Sequence, residues 1–109
     1  MAYSRELAER TRAALTPSRR IEERRMFGGL AFMVNGHMCC GIVGEELMVR
    51  VGPDLYEPSL AQPHAREMDF TGKPLKGMVY VGRQGLVTES QLGAWVQRGL
   101  AYVSTLPAR

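Results

Sequence analysis

Long apolar runs are missing from this chain. No stretch of its 109 residues approaches the roughly 20 apolar residues that a membrane-crossing helix needs. The opening Met1-Ala2-Tyr3-Ser4-Arg5-Glu6 holds no apolar signal core, so a cytoplasmic protein is expected. Cysteine is nearly absent: Cys39 and Cys40 are the only two, and they are adjacent. That excludes a disulfide framework, a Cys-x-x-Cys redox motif and a zinc-finger spacing. On a regular strand the two thiols point to opposite faces, which prevents their pairing and predicts two reduced, buried side chains. Histidine is equally sparse. His37 and His64 show neither His-x-x-x-His nor Glu-x-x-His spacing, so no metal site is expected. A His37–Cys39 pair on one strand face lacks any third group to orient it. Gly-x-Ser-x-Gly and the phosphate-loop pattern Gly-x-x-x-x-Gly-Lys-Ser/Thr are also absent. No cofactor is implied, and repeats and low-complexity tracts are lacking.

What is present suits one domain over residues 1–109. Apolar residues make up 45% and charged residues 23%, ordinary globular usage that argues against disorder. The formal net charge is +3, and it is unevenly placed. Residues 10–25 hold six arginines against two glutamates, a local +4. Such a segment can contact nucleic acid through Arg19, Arg20, Arg24 and Arg25. Glu22 and Glu23 interrupt it, and Phe27 is its only nearby ring, so the stacking platform typical of single-strand binding is thin.

Local signals punctuate the rest. Ser4 caps a helix running to about Leu15, with Leu7, Ala8, Thr11, Ala14 and Leu15 on one side, and Thr16-Pro17-Ser18 stops it. Residues 21–26 read as a polar edge strand. Leu30 to Val34 runs into Asn35-Gly36, a type I′ hairpin turn, and His37 to Val43 returns. Gly44-Glu45 suits a type II′ turn into Glu46 to Val51. Gly52-Pro53-Asp54 reads as a helix start, kept short by Pro58 and Pro63. Strands are expected over residues 66–70 and 78–82, joined by a Gly/Lys/Pro-rich loop. Thr88 and Gln91 form a capping box for a last helix with Leu92, Trp95, Val96, Gly99, Leu100 and Val103 on one side.

Turn types fix register, and register fixes faces. Two-residue loops set Val34 opposite His37, Phe32 opposite Cys39, Ile42 opposite Leu47 and Cys40 opposite Val49. One face then carries Ala31, Met33, Met38, Cys40, Ile42, Leu47, Val49 and Val51, the expected core. The other carries Leu30, Phe32, Val34, Cys39, Val43 and Met48 among His37, Glu46 and Arg50. Each buried Phe, Leu or Val is worth roughly 1.5–3 kcal/mol, so a face this apolar calls for a cover. The occupants considered are a second copy, another protein, or the chain's own segment 53–77. With Leu30, Phe32, Val34 and Met48, the basic turn Gly72-Lys73-Pro74-Leu75-Lys76-Gly77 completes a candidate partner surface through Lys73 and Lys76. Of the seven methionines, Met33 and Met38 fall on the expected core face and only Met48 on the other.

The run Arg25-Met26-Phe27-Gly28-Gly29 carries a glycine pair that can supply positive φ or a close backbone approach. Taken with Gly72-Lys73-Pro74-Leu75-Lys76-Gly77-Met78-Val79-Tyr80-Val81, with Asn35-Gly36, with Leu47-Met48-Val49-Arg50-Val51 and with the Trp95 helix, it resembles the N-terminal domain of the TfoX/Sxy-type competence regulators of bacteria. The resemblance implies an α+β fold similar to the secretion-chaperone-like architecture. An antiparallel sheet of five to six strands would carry helices in the order α-β-β-β-β-α-β-β-α. It supplies no catalytic residues, and within these 109 residues the helical C-terminal domain of full-length regulators is not expected. The expected function is a non-enzymatic regulatory or adaptor domain acting through protein contacts, with a protein partner or a second copy. The alternative is a nucleic-acid-binding module, followed by an enzyme of unknown class.

Overall fold

A computed structural model describes residues 3–15, 21–26, 28–68 and 76–107. The capping signals start the chain as expected. Ser4 Oγ accepts the Leu7 N–H at 3.1 Å, and helix α1 spans Arg5–Leu15. Four strands follow: β1 (Ile21–Met26), β2 (Gly29–Val34), β3 (His37–Val43) and β4 (Glu46–Arg50). Then come α2 (Tyr56–Leu60), β5 (Ala65–Glu67), β6 (Met78–Val81), a 3-10 turn over Arg83–Leu86, and α3 (Glu89–Val103). The six strands form one antiparallel sheet in the order β1-β2-β3-β4-β6-β5, so the fold is α+β with the elements in the expected order. Helix α3 lies across β3 and β4, α1 packs on α3 and β3, and α2 sits beside β5 and β6.

Helix α2 and strand β5 depart most from the expected bounds. Helix α2 begins at Tyr56 rather than at Pro53, because Gly52 (φ +84) turns the chain and residues 53–55 form a separate turn, closed by Tyr56 N–H to Pro53 O at 3.4 Å. Strand β5 starts at Ala65 and runs to Glu67; residues 69 and 70 lie outside the described residues.

Both hairpin turns have the backbone their residues favour. Asn35 (φ 53) and Gly36 (φ 85) are left-handed, as type I′ requires, and Gly44 (φ 61) provides the positive angle of type II′. The β3–β4 register is the expected one, with Cys40 opposite Val49 and Ile42 opposite Leu47. The β2–β3 ladder also starts as expected, with Val34 opposite His37 and Met33 opposite Met38. It then slips. Phe32 pairs with Cys40, leaving Cys39 as an extra residue in a β-bulge.

That single residue corrects the expected faces. Because side chains alternate with period two, an inserted residue exchanges the faces of everything beyond it. Leu30, Phe32 and Val34 therefore join Cys40, Ile42, Leu47, Val49 and Val51 beneath the helices, in a core shared with Leu7, Leu15, Leu92, Trp95, Val96 and Val103. Ala31 and Met33, expected there, lie on the opposite face with Met48, Met68, Met78 and Tyr80, and Met38 packs against them. The bulge also turns both thiols into the helix-side core, correcting the expectation that Cys39 and Cys40 face apart.

Helix α3 closes on β3 at one close approach. A Cβ on Gly99 would stand 2.8 Å from Cys39 O and 2.9 Å from its Sγ, whereas one on Gly93 of the same helix would meet nothing within 4 Å. The two positions should thus respond with opposite sign to alanine. Gly93→Ala should stabilise by about 1 kcal/mol through helix propensity. Gly99→Ala should destabilise by about 1–3 kcal/mol, because the helix must lift from the bulge. Urea unfolding of the two variants checks this, and stabilisation by both would remove the close approach as a constraint.

Candidate functional site

The expected partner surface does not lie open. Phe32 and Met48 are both 0% exposed, Leu30 6% and Val34 4%. The first, third and fourth of these belong with the helices, for the reason the bulge gives; Met48 is at the centre of the other face. Lys76 is exposed beside the buried Gly77, whose carbonyl accepts the N–H groups of Val51 (2.8 Å) and Gly52 (3.1 Å). Lys73 lies outside the described residues, as do Phe27, Arg19 and Arg20.

The face opposite α1 and α3 has a composition the alternation of residues did not show. Six of the seven methionines converge on it: Met26, Met33, Met38, Met48, Met68 and Met78. Ala31 and Tyr80 complete its floor. Met68, one residue beyond β5, is itself fully buried there and supplies part of the layer. Met26, Met38 and Val43 are half-buried at its margin. The methionines come from β1, β2, β3, β4 and β6 and from the residue after β5, and the thioether's flexibility lets them fill one irregular layer. At the β5 side, the Arg66 guanidinium stacks 4.7 Å above the Tyr80 ring while pairing with Glu46. Burial pushes the Tyr80 hydroxyl pKa up, Arg66 opposes this, and Glu46 adds to it.

The family-like glycine pair is accounted for by backbone geometry. Gly28 (φ +74) turns the β1–β2 connection, and a Cβ on Gly29 would fall 1.9 Å from Ile42 O. Of the basic segment, Arg24 and Arg25 are exposed on β1, an outer strand of the sheet. The carboxylates there are engaged: Arg24 lies 3.7 Å from Glu22, and Arg12 of α1 holds Glu23 with two contacts of 2.5 and 2.8 Å. The same Arg12 guanidinium lies 5.9 Å from the centroid of the Phe32 ring.

Groups able to do acid–base or nucleophilic work are dispersed. His37 Nε2 donates to Pro107 O at 2.5 Å. Cys40 is fully buried, and its thiol is pushed well up by its hydrogen bond with Cys39 and by burial, so the thiolate that nucleophilic chemistry needs is suppressed. The Tyr56 hydroxyl is buried with no hydrogen-bond partner among the described residues; burial and then the charge of Glu67 push its pKa up. No three His, Cys, Asp or Glu side chains gather into a metal-holding group among the described residues.

One charged cleft escaped the sequence reading. An open hollow of about 660 Å³ is lined by Glu45, Glu46, His64, Arg66, Arg83 and neighbouring residues at the β4–β6–β5 end of the sheet. His64 holds a left-handed backbone (φ 69), and its carbonyl accepts Gly82 N–H at 2.9 Å. The cleft's two arginines are matched by its two glutamates, Arg66 with Glu46 and Arg83 with Glu45 at 3.4 Å, which leaves little net field for a charged ligand. Its members are scattered between positions 45 and 83, and only the pairing of β4, β6 and β5 unites them.

The Arg12–Glu23 pair generates a pH prediction. Its hydrogen bond from Arg12 lowers the Glu23 pKa below the ordinary 4.5, with burial opposing. A carboxyl whose pKa is depressed by folding contributes stability above its unfolded pKa and loses it as pH falls through the folded value. Both side chains are partly solvated, so the contribution should be small, below about 1 kcal/mol. Wild type and Glu23→Gln should therefore differ slightly at neutral pH and converge once the pH drops below the folded-state value. A gap that widens on acidification, followed by thermal melts across that range, would contradict the pair's role.

Comparison with known families matches the TfoX N-terminal domain over residues 13–102. Comparisons with curated proteins and with solved structures gave no match. The matched span runs from the last turn of α1 to the last turn of α3, taking in the glycine pair, both hairpins and the whole sheet. The chain belongs to the TfoX N-terminal domain family.

Proposed function

We propose that this domain is a non-enzymatic regulatory adaptor that engages a protein partner along the margin of its methionine-lined sheet face. Family membership supports a competence-regulator-like domain, and the family is not a known enzyme family. The observation that carries the reading is the gathering of six methionines on the face that no helix covers among the described residues. Unbranched thioether side chains repack at low cost against varied apolar surfaces, which suits contact with protein segments. Met26, Met38 and Val43 form the half-buried rim, and the exposed Lys76 replaces the wider Lys73–Lys76 loop as the described part of a basic border.

A second reading, nucleic-acid binding, draws on Arg24 and Arg25, both exposed on β1. Glu22 and Glu23 on the same strand weaken its field.

Met38→Glu and Met26→Glu should each abolish partner capture while leaving the thermal midpoint nearly unchanged, since both side chains are half-buried. Val87→Glu, at a position 70% exposed on the helix side, should leave capture intact. Capture that survives both methionine variants would refute the surface. Titration with single- and double-stranded DNA at several salt concentrations separates the second reading: the adaptor reading expects no binding with a steep salt slope.

A further inference from the structure

Strand β1 closes one side of the sheet, and its sequence is Ile21-Glu22-Glu23-Arg24-Arg25-Met26. Its four central side chains are all exposed. Among the described residues no other element pairs with its outer edge, and α1 packs on α3 and β3, with Arg12 reaching β1 through Glu23. An edge of this kind presents unpaired N–H and C=O groups to any strand that approaches. Native edges are commonly protected by charged side chains, above all lysine, which repel a second copy of the same edge. This edge instead carries two carboxylates followed by two guanidinium groups, with no net charge. Run antiparallel to itself about Glu23, the strand brings Glu22 and Arg24 opposite each other in both directions.

From this pattern we infer that β1 is a self-recognition edge that pairs antiparallel with β1 of a second copy of the chain, making one continuous twelve-stranded sheet from two six-stranded ones. The symmetry selects the register. A two-fold axis normal to the sheet keeps each face continuous, so opposed residues must share a face. Centred on Glu23, the pairing sets Glu22 opposite Arg24 of the second copy, twice, on the methionine-lined face. On the helix face, Ile21 opposes Arg25 of the second copy. The two Glu23 side chains meet on the axis, but each is already countered by Arg12 of its own chain. Each also has Arg25 of the second copy as a diagonal neighbour. The register centred on Arg24 would oppose Glu23 to Arg25 twice, but it sets two arginines on the axis, each countered in its own chain only by Glu22 at 3.7 Å, a looser contact than the 2.5 Å of Arg12 to Glu23.

This inference does not rest on the adaptor reading: Met26 of β1 borders both surfaces, but the partner here is a second copy and the readout is oligomeric state. Sedimentation of the intact chain over a concentration series tests it. Wild type should dimerise, and the dimer should weaken as salt rises. Glu22→Arg and Arg24→Glu each create two like-charge oppositions per dimer, and each should weaken it roughly tenfold. The double variant Glu22→Arg/Arg24→Glu restores both pairs and should return to wild-type affinity. Thermal melts should show all three variants folded, because the altered side chains are exposed. Under mild oxidation, Glu23→Cys should cross-link between copies faster than Arg24→Cys. A wild type that stays monomeric at its highest soluble concentration overturns the proposal. So does a double variant no tighter than the singles, and the reverse order of cross-linking overturns the register.

Discussion

The β-bulge at Cys39 is the constraint on which the rest of this molecule turns. A regular ladder would hand Ala31 and Met33 to the helices and leave Phe32, the largest of the fully buried side chains, on the other side. One extra residue in β3 reverses that assignment along β2. It puts Leu30, Phe32 and Val34 where α1 and α3 cover them. It also brings Cys39 against α3, where only a residue without a side chain, Gly99, lets the helix settle. The bulge, the close helix and the sorting of residues into two layers are thus one arrangement seen from three places.

Much of the architecture was legible because its signals are local. Ser4 before α1 and the Thr88–Gln91 box before α3 declare where orphan backbone donors find acceptors, and both interactions are present. Asn35-Gly36 and Gly44 encode their turns through the backbone angles they tolerate. The stripe of Leu92, Trp95, Val96 and Val103 needs only the helical period. Parity along β2 was not legible. Both of its faces are apolar, so alternation could not reveal the slip, and nothing in Cys39-Cys40 marks a bulge. The candidate surface moves with it, since counting from the turn puts Leu30, Phe32 and Val34 on the face opposite the one they occupy. The start of α2 shifted for a smaller reason: Pro53 serves equally well in the turn that precedes the helix.

The two sheet faces solve burial by different chemistry. Beneath the helices, branched aliphatics and three buried aromatic residues, Phe32, Tyr56 and Trp95, interlock in defined shapes. The opposite layer relies on thioethers, which fill space without demanding a particular rotamer. A layer of that kind tolerates a change of neighbour better than the helix side does, and the half-buried Met26 and Met38 are where such a change meets solvent. The charged borders differ as well. Along the β5 side, opposite charges are satisfied within the chain by Arg66–Glu46 and Arg83–Glu45, whereas the β1 side arranges them along a single exposed strand.

Every residue of β2 is buried, from Gly29 to Val34. Its odd and even positions belong to different cores, and it has no wet side on which substitutions could accumulate unnoticed. Drift in one layer would therefore be felt in the other through a shared backbone. Lineages that diverge should hold this six-residue strand nearly fixed while the helical exterior and the polar outer strand vary around it.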